Sequence, residues 1–176
     1  RGPNTVTDSL ILCLDPANPK SYPGSGTVWT DLSGNDNSGT LTNSPSFNPL
    51  NNGIIEFDGL NDMVTVPSPS NKLAWTPSGD GSNNLTFELW VNTTDTTGRV
   101  FSKPWNGNGE YNYWMTRSQF YHNIGGQASN LNFTPISTGE WTFVNLIFTP
   151  TQKAVYINGV LDAGFTNHNC TNNTPT

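Results

Sequence analysis

A chain of 176 residues with net charge −6 and only 11% charged residues is long enough for one well-filled domain and short for two. Its Lys and Arg total seven, scattered singly, which excludes the clustered cations that bind a nucleic-acid backbone. With no run of 18 apolar residues, a membrane-spanning helix is excluded too, and no membrane insertion is expected.

In chain order, residues 1–8 read as an arm or linker. "SLILCLD" from Ser9 is an apolar run of strand length, bounded by Asp8 and by the Pro-rich corner "DPANP". "GIIEFDG" and "DMVTVP" are short alternating strands joined by "DGLN", whose Asp-Gly step predicts a hairpin. "NLTFELWVN" alternates: Leu85, Phe87, Leu89 and Val91 face one way, and Thr86, Glu88, Trp90 and Asn92 the other. "RVFSKP", "YNYWMTR" and "QFYHNIG" follow at the cadence of antiparallel sandwich strands. "WTFVNLIFT" is apolar on both faces and belongs in mid-sheet. In "KAVYINGVLDAG", Asn158 and Gly159 separate two apolar runs and suit a type I′ turn. Residues 166–176 form an Asn/Thr-rich tail, read as leading into strands beyond the sequence. The fold class is therefore all-β, a two-sheet antiparallel sandwich.

Asparagine fills about one position in seven, with 17 glycines and 13 prolines, a bias toward turns. Cys13 and Cys170 lie near opposite ends; a bridge between them would close most of the chain, and two free thiols are the preferred reading. N-x-S/T triplets at Asn84, Asn92, Asn132, Asn169 and Asn172 are what so Asn- and Thr-rich a chain produces by chance.

The ordered series "LDPANPKSYPGSGTVWTDLSGNDNSGTL", "IIEFDGLNDMVTVP", "LTFELWV", "GEWTFVNLIF" and "AVYINGV" resembles the laminin G-like branch of the concanavalin A-like lectin and glucanase superfamily. More narrowly, it is similar to the copies in virion structural proteins of marine tailed bacteriophages, especially cyanophages. The resemblance covers residues 9–165 and implies a curved jelly-roll sandwich. It also implies a domain of a fibre, tail or capsid surface, with neighbouring virion subunits in a homo-oligomeric appendage or host surface glycans as partners; the lack of a catalytic constellation in the residues makes a non-enzymatic domain the preferred reading.

Three stretches are candidate sites. In "WTDLSGNDNSGTL", Asp31 and Ser33 suit backbone capping of a tight corner, the preferred reading; Asp31, Asn35 and Asp36 are also oxygen donors for a structural Ca²⁺. In "EFDGLND", Glu56 and Asp58 fall on one face of a strand, as in laminarinase-type enzymes of the superfamily, but no correctly spaced second Glu accompanies them. There Asp58 and Asp62 are expected to hold the turn, with Ca²⁺ as the second reading. In "KPWNGNGEYNYWMTR", aromatic faces flanked by amides and a carboxylate make a glycan site from Trp105, Asn106, Asn108, Glu110, Tyr111 and Tyr113. The competing reading puts Trp114 and one tyrosine in the core, and for Trp114 it is the preferred one. Glu56 with Glu88 or Glu110 are the Glu candidates for the alternative reading, a glycoside hydrolase; a purely structural virion module is the third.

Overall fold

The computed structural model describes residues 8–67, 84–104, 112–124, 127–149 and 152–166. The chain divides into two compact units, 1–73 and 74–176; in both, the described strand pairs are antiparallel.

In the first unit, β1 (Val28–Trp29), β2 (Gly39–Thr42) and β5 (Met63–Thr65) form one sheet in the order β1-β2-β5, while β3 (Ser46–Asn48) and β4 (Ile54–Glu56) pair with each other. Strands this short need side-chain support. Tyr22 and Leu41 are buried, and the Tyr22 ring meets Trp29 edge-on at 6.5 Å and Phe47 at 5.6 Å. The Trp29 ring therefore packs inside this unit.

Two sequence expectations fail in this unit. Residues 9–14 are not a strand: their backbone groups bond to the Trp29–Leu41 loop, through its side chains and the Leu32 N–H, instead of to a neighbouring strand. Nor do 54–56 and 63–65 form a hairpin. β4 pairs with β3, Ser46 opposite Glu56, and β5 pairs with β2, Leu41 opposite Val64. The reversal that operates is Asn51-Asn52-Gly53, with φ of 55°, 69° and 124°. At Gly53 a Cβ would stand 2.5 Å from the Pro16 carbonyl oxygen, so glycine is required there.

The second unit is a sandwich. One sheet has the order β10-β9-β8-β7, built from β7 (Phe101–Lys103), β8 (Asn112–Met115), β9 (Gln119–Ile124) and β10 (Gln127–Asn132). The other has the order β13-β12-β11-β6, from β6 (Leu85–Val91), β11 (Thr142–Phe148), β12 (Gln152–Ile157) and β13 (Val160–Thr166). Tyr113, Met115, Phe120 and Leu131 from the first sheet close on Val144, Leu146, Phe148 and Val155 from the second. The Phe120 and Phe148 rings lie 4.4 Å apart. Burying these side chains is the main stabilising term, roughly 1.5–3 kcal/mol for each large one.

Here local patterning succeeds. Leu85, Phe87, Leu89 and Val91 pack against the core, and β11 is paired on both sides, with β6 and β12. Asn158 and Gly159, at φ 52° and 82°, turn β12 into β13 as a type I′ turn requires. β10, "QASNLN", had no sequence signal.

Candidate functional site

The Trp29–Leu41 loop is a corner built on Asp31. Its Oδ1 accepts hydrogen bonds from the backbone N–H groups of Cys13 and Ser33, each at 2.9 Å, and its Oδ2 accepts from the Ser33 hydroxyl at 2.7 Å and the Asn37 N–H at 3.1 Å. Ser33 Oγ and Asn37 Nδ2 both donate to the Ile11 carbonyl, at 3.0 and 2.9 Å, and Asn35 Nδ2 donates to that of Leu10 at 2.7 Å. The loop thus gives residues 10–13 the partners a neighbouring strand would have supplied. Burial raises the Asp31 pKa, but the hydrogen bonds from Ser33, Cys13 and Asn37 outweigh it and hold the carboxyl below its ordinary value. Asp36 is exposed in a left-handed conformation, φ 58°. The half-buried Cys13 thiol is pushed up by burial first and by Asp15 and Asp31 next; Cys170 lies outside the described residues.

The acidic turn is similar in kind. Asp58 Oδ1 accepts from the N–H groups of Leu60 at 2.8 Å and Asn61 at 3.3 Å, and Asp62 Oδ2 accepts from Asp58 N–H at 3.0 Å. The Leu60 bond leads in lowering the Asp58 pKa. An open hollow of about 530 Å³ adjoins it, lined by Asn43, Ser44, Ser46, Glu56, Phe57, Asp58 and Asp62. Glu56 leaves the strand at its last residue and accepts from Asn48 Nδ2 at 2.9 Å, so Asp58 shares no strand face with it. Among the described residues no group of three His, Cys, Asp or Glu side chains is arranged to hold a metal.

Of the predicted aromatic site, Trp105, Asn106, Asn108, Glu110 and Tyr111 lie outside the described residues. Tyr113 is a correction: it is 7% exposed, inside the sandwich, against Phe87 and Phe101. Desolvation pushes its hydroxyl up to about 12. Trp114 is a correction in the opposite sense. The pleat that turns Tyr113 and Met115 inward turns Trp114 to the outer face.

On that outer face Trp114 stands directly opposite Tyr121 in the β8–β9 pair. Their rings stack at 5.1 Å and 12°, and the Arg99 guanidinium, arriving from the loop before β7, lies 5.3 Å over the Trp114 ring. Around them stand amides: Asn112 pairs across with Asn123, Asn130 lies opposite Tyr121, and Gln119 Nε2 donates to Asn132 Oδ1 at 2.8 Å. An aromatic pair offers sugar C–H groups a surface, and amides offer hydroxyls both donors and acceptors. The sequence signal existed: Asn112, two positions before Trp114, marks that parity as the polar one.

The outer face of the other sheet differs. Trp90, 64% exposed, packs against Phe143 at 5.3 Å, and Asn145 Nδ2 donates to Glu88 Oε1 at 2.8 Å one row along. Trp141, Val160 and Leu161 are also exposed, all at the end of the sheet where β11 begins. His122 is buried and edge-on to Phe148, away from either surface.

A family model described as the concanavalin A-like lectin/glucanases superfamily, laminin G type, matches residues 58–176. No curated protein matches the chain.

Proposed function

Because the chain belongs to the concanavalin A-like lectin/glucanases superfamily, we propose that it is a non-enzymatic recognition module that binds carbohydrate on the outer face of the β7–β10 sheet. The observation that carries this reading is the Trp114–Tyr121 stack set in a field of Asn and Gln side chains. The non-enzymatic part is supported by the two Glu candidates among the described residues. Glu56 is tied to Asn48 and Glu88 to Asn145, each on its own sheet. The setting we propose is a virion surface or appendage that meets host glycans, on the strength of the sequence resemblance to marine phage proteins.

A glycan-array screen of the purified domain tests the reading. Binding is expected to weaken about tenfold in Tyr121→Ala and to persist in Glu56→Gln. Turnover of laminarin or agarose that disappears in Glu56→Gln would establish the hydrolase instead.

A second reading, contact with neighbouring subunits, is favoured by the exposed Trp90, Trp141, Val160 and Leu161 at one end of the other sheet. Charge-poor patches with exposed tryptophan have the composition of interface centres. Concentration-dependent self-association abolished by Trp90→Ala, with no glycan bound, would replace the first reading with this one.

A further inference from the structure

We propose that Arg99 makes the Trp114–Tyr121 face a receptor for glycans bearing an anionic substituent, a sulfate ester or a uronate carboxylate. The inference rests on the carbohydrate reading of that face and specifies its ligand class.

Three observations carry it. First, Arg99 is exposed, yet its guanidinium is positioned over Trp114. Stacking restrains the planar fork while its N–H donors, which lie in the plane, stay open to an oxyanion. No hydrogen bond or ion pair occupies Arg99 among the described residues. Second, the charge pattern of the chain is interrupted here. Thirteen Asp and Glu give the molecule its net −6, but none occurs from residue 111 to residue 139, the span that supplies β8, β9 and β10.

Third, two described acids close to this region in the chain or next to β10 are engaged elsewhere. Asp95, four residues before Arg99, accepts from the Thr97 N–H at 2.8 Å and the Thr97 hydroxyl at 3.2 Å. Asp162 accepts from the Thr134 N–H at 2.7 Å beyond the end of β10. Among the described residues, an anion on this face meets a cation and neutral amides in a molecule of net charge −6. That arrangement selects a sugar with a localised negative group over a neutral one.

The test compares galactan oligosaccharides without sulfate (from agarose) and with sulfate (from carrageenan), beside oligogalacturonate, by titration calorimetry with the intact chain. The wild type is expected to bind one acidic series about tenfold more tightly than the neutral one, with a preference that declines as salt rises. The acidic series that wins identifies sulfate or carboxylate. Arg99→Gln should bring acidic binding down to the neutral level and leave agarose oligosaccharides unaffected. Arg99→Lys should recover only part of the preference, since it keeps the charge and loses the stacked fork.

Equal binding of acidic and neutral series, or an acidic preference that survives Arg99→Gln, overturns the assignment to Arg99. Neutral binding lost in Tyr121→Ala, with no acidic gain, overturns the anionic class and leaves the carbohydrate reading intact. No binding of any series by a folded chain overturns both, and so does capture of an Asp/Glu-rich peptide through Arg99 with no glycan bound.

Discussion

The Asp31 corner and the outer face of the β7–β10 sheet are made of the same kinds of residue, Asn and polar side chains beside an aromatic, and they do opposite things. At the corner the polar groups turn inward: both Asp31 oxygens are filled, and Ser33, Asn35 and Asn37 hold the carbonyls of Leu10 and Ile11. On the sheet face the backbone already has its ladder partners, and side chains of the same types, Asn130 and Asn132, are exposed. Composition does not separate a structural polar cluster from a recognition surface; the hydrogen-bond partners do.

The largest way to sharpen this contrast is Asp31→Ala. It removes four hydrogen bonds and leaves the Cys13 and Asn37 N–H groups without acceptors, a loss of about 3 kcal/mol. Urea unfolding should register it while glycan binding stays unchanged; loss of binding would show that the corner takes part in recognition. The same carboxyl predicts an acid dependence. Its pKa is lower in the folded chain than in the unfolded one, so its contribution is fully present above the unfolded value of about 4 and lost as pH falls through the depressed folded value. In Asp31→Asn that part of the acid slope should vanish.

Next in size is Tyr121→Ala, which inverts the result: about tenfold weaker binding, with stability reduced by about 1 kcal/mol through the lost stack with Trp114. A substitution that unfolded the chain instead would place Tyr121 with the core residues.

What was legible in the sequence divides along the same line. The alternation of Leu85 to Val91, the central place of Thr142–Phe148 and the Asn158-Gly159 reversal are local properties, written in consecutive residues. The apolar run from Ser9 looked like a strand because hydrophobicity records burial, and only the distant side chains of Asp31, Ser33, Asn35 and Asn37 reveal what its backbone bonds to. The pairing of β5 with β2 is likewise non-local, whereas β4 turns back onto β3 through the adjacent Asn51-Asn52-Gly53 reversal, a turn less conspicuous in the sequence than the Asp58-Gly59 step. β10 carries no local strand signal because Leu131 is its one large apolar residue amid Asn, Gln, Ala and Ser. The Tyr113–Trp114 parity is ambiguous from the pair alone, because two adjacent aromatics both resemble core; Asn112, on the same parity as Trp114, marks the outward face.

Gly159→Ala tests the local class of feature. Nothing lies within 4 Å of an added Cβ there, so the cost is the left-handed backbone alone, about 1 kcal/mol, measurable as a lower melting temperature. Indifference to that change would mean that the β12–β13 register rests on the Phe143 N–H bond to Asn158 Oδ1 and not on the turn conformation.

The smallest effect is expected at the acidic turn. Asp58 Oδ1 and Asp62 Oδ2 already accept backbone N–H groups, and Glu56 is bound to Asn48. The turn already engages one oxygen of each Asp in backbone bonds, and Asp62 Oδ1 is fully buried with no hydrogen-bond partner, which leaves few of the six to eight oxygens that Ca²⁺ takes. EDTA should therefore leave the melting temperature unchanged, and Asp58→Asn, which keeps an acceptor oxygen for Leu60, should cost no more than about 0.5 kcal/mol. A melting temperature that rose with added Ca²⁺ in the wild type and not in Asp62→Asn would assign that buried oxygen to a metal. It would also move this turn from the inward-bonded class, where the Asp31 corner belongs, to the class of polar groups held open for a ligand.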